Sequence, residues 1–165
     1  MPFKSSCGKL VPRLSLLLLA VCLPLLWSQS SSEHLTVGQL RKVVGKRNDA
    51  VQTHIPVTIQ AGFHVNSNTP SEDYLIPLKV TWTSLGALEG AQVTFPKPSM
   101  EKFDFSDKPL SVYMGSIELT ASFKVSAKAA AGPGIAVGKL MYQACSTKAC
   151  YKPTTVEIDV PYQVQ

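Results

Sequence analysis

The chain has 165 residues, 45% of them hydrophobic, with 16 Lys and Arg against 11 Asp and Glu, a formal charge of +5. Three of the basic residues, Lys4, Lys9 and Arg13, precede an apolar run from Leu14 to Leu26, so the charge of the remainder falls to +2. That balance, with no basic stripe interleaved with aromatics, excludes a nucleic-acid-binding reading.

The first element is a leader. A basic n-region, the apolar run and the small polar stretch from Ser28 to Ser32 read as a secretory signal peptide over residues 1–30. The run is too short for a membrane span of about 20 residues. Leu19-Ala20-Val21-Cys22 resembles a lipoprotein cleavage box, but Val21 fits it poorly, and anchoring at Cys22 is the lesser expectation. Residues 31–165 are then one exported domain, long enough for a core of its own. Cys7 and Cys22 leave with the leader, so Cys145 and Cys150 are the pair that remains in an oxidising compartment.

Beyond the leader, the dominant signal has a period of two. Tyr74, Ile76, Leu78, Val80 and Trp82 alternate with more polar neighbours; so do Ile117 to Val125 and Val156 to Val164. Shorter strand candidates are 39–44, 51–60, 91–95, 102–105 and 135–144. Turns are marked by 45–49, Asn66-Ser67-Asn68-Thr69-Pro70, 96–98 and Gly132-Pro133-Gly134, and 127–134 reads as a flexible loop. A short helix over 35–44 is disfavoured by its valines and by Gly38. About eight strands with frequent turns predict an all-β fold, an antiparallel β-sandwich. Pro56, Pro77 and Pro161 are expected at edges or bulges, because proline donates nothing to a ladder.

The chemistry concentrates at the tip of the last hairpin. Four residues separate Cys145 from Cys150, close enough for a disulfide across a hairpin loop. The spacing fits a structural staple, worth only about 2 kcal/mol for so small a loop. It fits a redox pair equally well, and Lys148 within the loop could favour a thiolate. Two cysteines without partners at zinc spacing do not make a metal site, and no cofactor is expected. His34, His54 and His64 share no motif and read as loop or surface histidines. The carboxylates are scattered, and no Ser-His-Asp order or phosphate loop is present. Tyr113 reads as a core residue, an edge cover or a lid.

Three stretches together resemble the N-terminal periplasmic domain family of the thiol:disulfide interchange protein DsbD. They are Ala61-Gly62-Phe63-His64-Val65-Asn66 running to Pro77; Phe95-Pro96 through Phe103-Asp104-Phe105 to Tyr113-Met114-Gly115; and Tyr142-Gln143-Ala144-Cys145 to Cys150-Tyr151-Lys152-Pro153. The resemblance implies an immunoglobulin-like sandwich with a cysteine-bearing hairpin and a cap loop. It implies that Cys145 and Cys150 exchange disulfides, with Tyr113 and Gly115 in the cap. It also implies thioredoxin-fold proteins as electron donor and acceptor in the periplasm, among them a thioredoxin-like protein of cytochrome c maturation. The departures are one residue fewer between the cysteines, Ser111 and Val112 where enterobacterial members carry acidic residues, and no match for their tyrosines in Val65-Asn66-Ser67. Because the sequence ends after the sandwich, a separate membrane electron carrier is expected to supply the electrons. A non-enzymatic binding module with a structural disulfide, using exposed strand edges and the aromatics Tyr74, Tyr113 and Tyr151, is the alternative.

Overall fold

Strands that alternate apolar and polar residues bury one face each, and the long ones do so along their whole length. In the computed structural model, which describes Met1, residues 30–32 and residues 34–165, thirteen strands form: β1 (Ser30–Ser32), β2 (Leu35–Val37), β3 (Val43–Gly45), β4 (Ala50–Ile59), β5 (His64–Asn66), β6 (Lys79–Ser84), β7 (Leu88–Thr94), β8 (Ser99–Glu101), β9 (Leu110–Tyr113), β10 (Ser116–Val125), β11 (Gly132–Tyr142), β12 (Ala144–Cys145) and β13 (Thr154–Val164). The leader and its cysteines lie outside the described residues. Among the described residues there is no helix.

Two sheets make the sandwich, in the orders β1-β2-β4-β10-β7 and β3-β13-β11-β6. Between them lies one apolar core. Ile55, Val57, Leu119, Ala121 and Phe123 enter it from the first sheet, and Ala136, Leu140, Val156, Ile158 and Val160 from the second. Each such aliphatic side chain, fully buried, contributes about 1.5–3 kcal/mol. Pairing is antiparallel except between β3 and β13, which run parallel. A third, smaller sheet, β12-β5-β9-β8, sits beside the sandwich. Its strands have two to four residues, too few to show a period, which is why the sequence suggested about eight strands and one sandwich.

Residues 74–78 depart from the expected strand. Leu75 N–H donates to the Glu72 carbonyl in a turn, Tyr74 is 75% exposed and Leu75 and Leu78 are buried; the strand starts only at Lys79. Residues 102–105 likewise form a turn, Ser106 N–H donating to the Phe103 carbonyl. Asn66 and Ser67, read as exposed turn chemistry, are buried in a polar knot. Ser67 and Ser111 hydroxyls meet at 2.8 Å, and Asn66 Nδ2 donates to the Ile76 carbonyl. The prolines within strands sit where no ladder bond is needed. Pro56 accepts from Gly38 N–H just beyond the end of the β2 pairing, and Pro161 immediately precedes the residues of β13 that pair with β3.

Tyr162 ties the open side of the sandwich. Its ring lies over its cross-strand partner Gly134, where a Cβ would collide with it, and its hydroxyl accepts Ala87 N–H at 2.8 Å. Tyr162→Phe should therefore lower the unfolding free energy by about 1 kcal/mol, and Gly134→Ala by about 1–3 kcal/mol through overpacking. Urea midpoints should fall with unchanged m-values; unchanged midpoints would mean that the ring is not held as described.

Candidate functional site: the hairpin disulfide

The site is made by one strand changing sheets. β11 pairs with β13 through Tyr142↔Thr154, and two residues later β12 has left the sandwich to pair with β5, Ala144↔Val65 and Cys145↔His64. Gln143, at the crossing, donates its Nε2 to the Tyr151 carbonyl at 3.0 Å. The hairpin then closes through Ser146 N–H on the Ala149 carbonyl and Tyr151 N–H on the Ala144 carbonyl. Ser146 Oγ accepts the amides of Lys148 and Ala149, fixing the turn between the cysteines. Cys145 and Cys150 are bonded as a disulfide, their Cα atoms 3.9 Å apart.

The two sulfurs occupy different surroundings. Cys145 is wholly buried, while Cys150 is exposed. Alternation along the third sheet explains the difference. Ala144, Val65 and Tyr113 point into the main core. Cys145, His64, Asn66 and Val112 take the opposite face. That face is covered by a second small core, in which Leu75, Leu110 and Val112 pack with Phe103. The Phe103 ring stacks on His64 with centroids 4.1 Å apart, and Phe105 stacks on Phe103 at 5.3 Å.

Tyr113, which the resemblance places in a cap, is 2% exposed, belongs to the main core and stands on the face of the sheet away from Cys145. Its hydroxyl lies 2.7 Å from Asn68 Oδ1 and 2.9 Å from the Pro96 carbonyl oxygen, and burial pushes its pKa up. The cover over the Cys145 face comes instead from Phe103 and Leu75, on segments whose turns carry no strand period. Gly115, with a φ of 64°, makes the turn after β9, and its carbonyl accepts Ile59 N–H. Lys148 is exposed in the hairpin turn.

His64 is the residue that sequence reasoning missed. It is 2% exposed, and its Nε2 has no hydrogen-bond partner. Burial lowers its pKa from the ordinary 6.5. Its neighbours Phe63 and Val65 gave no sign of this, since three residues are too short to reveal which face a strand buries. Tyr151, next to Cys150 in the chain, is exposed, and its ring tilts against both Phe63 and His34. His54 stays at the surface, 2.9 Å from Glu118. Among the described residues, no three His, Cys, Asp or Glu side chains gather as a metal site would require.

Fold and site together define an immunoglobulin-like β-sandwich with a cysteine-bearing hairpin, one cysteine buried and the other exposed. A family model described as "Thiol:disulfide interchange protein DsbD, N-terminal" matches residues 32–161. The chain belongs to that family. Among solved structures, the N-terminal periplasmic domain of ScsB from Proteus mirabilis superposes with a TM-score of 0.58 at 15% identity, covering 78% of this chain and 47% of that one. The chain thus spans about half of that structure, and the likeness bears on the fold alone. The DsbD N-terminal domain of Neisseria meningitidis, in its reduced form, is 22% identical over 78% of this chain and 90% of that one, with a TM-score of 0.43. A comparison with curated proteins finds no match.

The buried histidine has a measurable signature. The fold disfavours its protonation, so the unfolded chain binds more protons than the folded one as pH falls. The resulting stability is complete above the ordinary value of 6.5 and declines as pH drops through the lower folded-state value. Wild type should lose unfolding free energy faster than His64→Phe as pH falls below 6.5. Parallel pH profiles from urea titrations would contradict the burial described.

Proposed function

We propose that this chain is a thiol-disulfide exchange module of the periplasm, passing electron pairs between thioredoxin-fold proteins through Cys145 and Cys150. Membership of the DsbD N-terminal family supports exchange as the class of activity. The observation that carries the finer reading is the unequal exposure of the two cysteines. In this reading a partner thiolate meets the exposed Cys150, and the buried Cys145 is out of its reach. A structural staple gains nothing from that asymmetry, whereas exchange needs one sulfur to meet the partner and one to resolve the mixed disulfide.

In this reading, reduction of the domain begins with a donor thiolate attacking Cys150 Sγ. The Cys145–Cys150 bond breaks and Cys145 leaves with the electron pair. The donor's second thiol then attacks its own sulfur in the mixed disulfide and frees Cys150. Electrons pass onward by the reverse sequence: Cys150 attacks an acceptor disulfide, and Cys145 closes the ring and expels the reduced acceptor. Lys148, two residues before Cys150, favours the Cys150 thiolate. The exposed ring of Tyr151, next to Cys150 in the chain, offers the partner an apolar seat. Residues 1–30 are a signal peptide that delivers residues 31–165 to the periplasm, and a separate membrane electron carrier replenishes the donor.

Cys145→Ala, incubated with an oxidised thioredoxin-fold protein, is expected to accumulate a mixed disulfide through Cys150. Cys150→Ala should give little or none, its remaining thiol being sealed. Mass spectrometry of quenched samples reads both. Adducts equally abundant in the two variants, or absent from both, would contradict the assignment.

A further inference from the structure

Ring closure needs a Cys145 thiolate, and the structure seals that sulfur from water. A cysteine thiol ordinarily ionises near pH 8.5, so at neutral pH the proton must be taken by something inside the site. The β12–β5 register sets one titratable side chain directly opposite: His64 on the same face of the sheet. Directly opposed residues of an antiparallel pair have Cβ atoms about 4.5–5.5 Å apart. His64 is itself buried, and its Nε2 has no hydrogen-bond partner, a costly arrangement for a polar atom with only a packing role.

The other elements around the imidazole bring no competing charge. Phe103 and Phe105 stack on it from the 102–109 segment, where Lys102, Asp104, Asp107 and Lys108 are exposed. Met114 and Gly115 follow β9, and Thr147 comes from the hairpin. With Phe63, His64 and Phe103, these three line a cavity of about 310 Å³. Lys148 points to solvent, and Tyr113 lies on the other face.

Resting on the exchange function proposed above, we propose that His64 is the base that takes the Cys145 thiol proton during ring closure. The step balances as follows. Cys150 is joined to the acceptor through a mixed disulfide, and neutral His64 accepts the proton of Cys145. The Cys145 thiolate forms a bond to Cys150 Sγ as the bond to the acceptor sulfur breaks. The acceptor leaves as a thiolate carrying the electron pair, and the imidazolium returns its proton to that thiolate or to water. Cys145 and Cys150 are oxidised and the acceptor is reduced. In the opposite direction the imidazolium protonates Cys145 as it is expelled. The lowered pKa of His64 keeps it in the neutral form that a base requires.

The test uses the reduced protein and glutathione disulfide. The conversion of the glutathione adduct on Cys150 to the intramolecular disulfide is followed by acid quench and mass spectrometry across pH 5.5 to 8.5. Wild type should rise through the His64 titration below pH 6.5 and then level off. His64→Phe, which keeps an aromatic ring against Phe103, should close about a hundredfold more slowly at neutral pH. Its rate should climb about tenfold per pH unit with thiol ionisation. His64→Gln, which can hydrogen-bond but not titrate, should behave like His64→Phe and carries the test if the phenylalanine variant does not fold. Variants that close at the wild-type rate with the wild-type profile would overturn the role of His64 and leave the exchange function standing. A wild-type adduct that never closes would overturn the exchange function itself, and this inference with it.

Discussion

The antiparallel pairing of β11 with β13 is the constraint on which the site depends. It runs unbroken along eleven residues, from Gly132↔Val164 to Tyr142↔Thr154, with alternate side chains in the core. A one-residue slip would turn that whole apolar set outward, so the register is held by the burial of Leu140, Tyr142, Val156 and Ile158 together. That register determines where the hairpin tip begins. Because Ala144 and Cys145 then pair with β5 and not with β13, the tip is anchored on two sheets at once. The disulfide closes a loop whose ends the sandwich already holds together, so little of the stability of the fold rests on it.

The same arrangement makes the two sulfurs unequal. Cys145 is wholly buried in a strand whose other face, with Ala144, Val65 and Tyr113, turns into the main core, while its own face is shared with His64 and Val112. Cys150 lies past the turn, in no strand, and meets solvent. In the proposed function this inequality sets the order of attack, Cys150 meeting the partner and Cys145 resolving. The proposed base role of His64 extends this logic to protons, since the register sets an imidazole opposite the buried Cys145.

The long strands were legible in the sequence because a ten-residue alternation admits one assignment, and β4, β10, β11 and β13 lie close to where their patterns put them. The cysteine hairpin was legible for the same reason, since its arms are the ends of β11 and β13. The third sheet was not. Strands of two to four residues such as β5 and β9 carry no period, and their burial depends on which distant segment covers them. This is why Tyr113, placed in the cap by family likeness, lies in the main core, and why Phe103 and His64 stand at the covered face without a signal of their own. The Asn66-Ser67 pair has the composition of an exposed turn but is buried, its Asn66 amide donating to the Ile76 carbonyl and its Ser67 hydroxyl meeting that of Ser111.

The reduction potential of the Cys145–Cys150 pair tests the central claim most directly. The protein is equilibrated in thiol buffers of graded poise, and the free cysteines are counted by alkylation. An exchange module should lie between about −120 and −270 mV, where proteins that pass disulfides operate. A value below about −300 mV, with slow equilibration, would mark a structural bond and contradict the account.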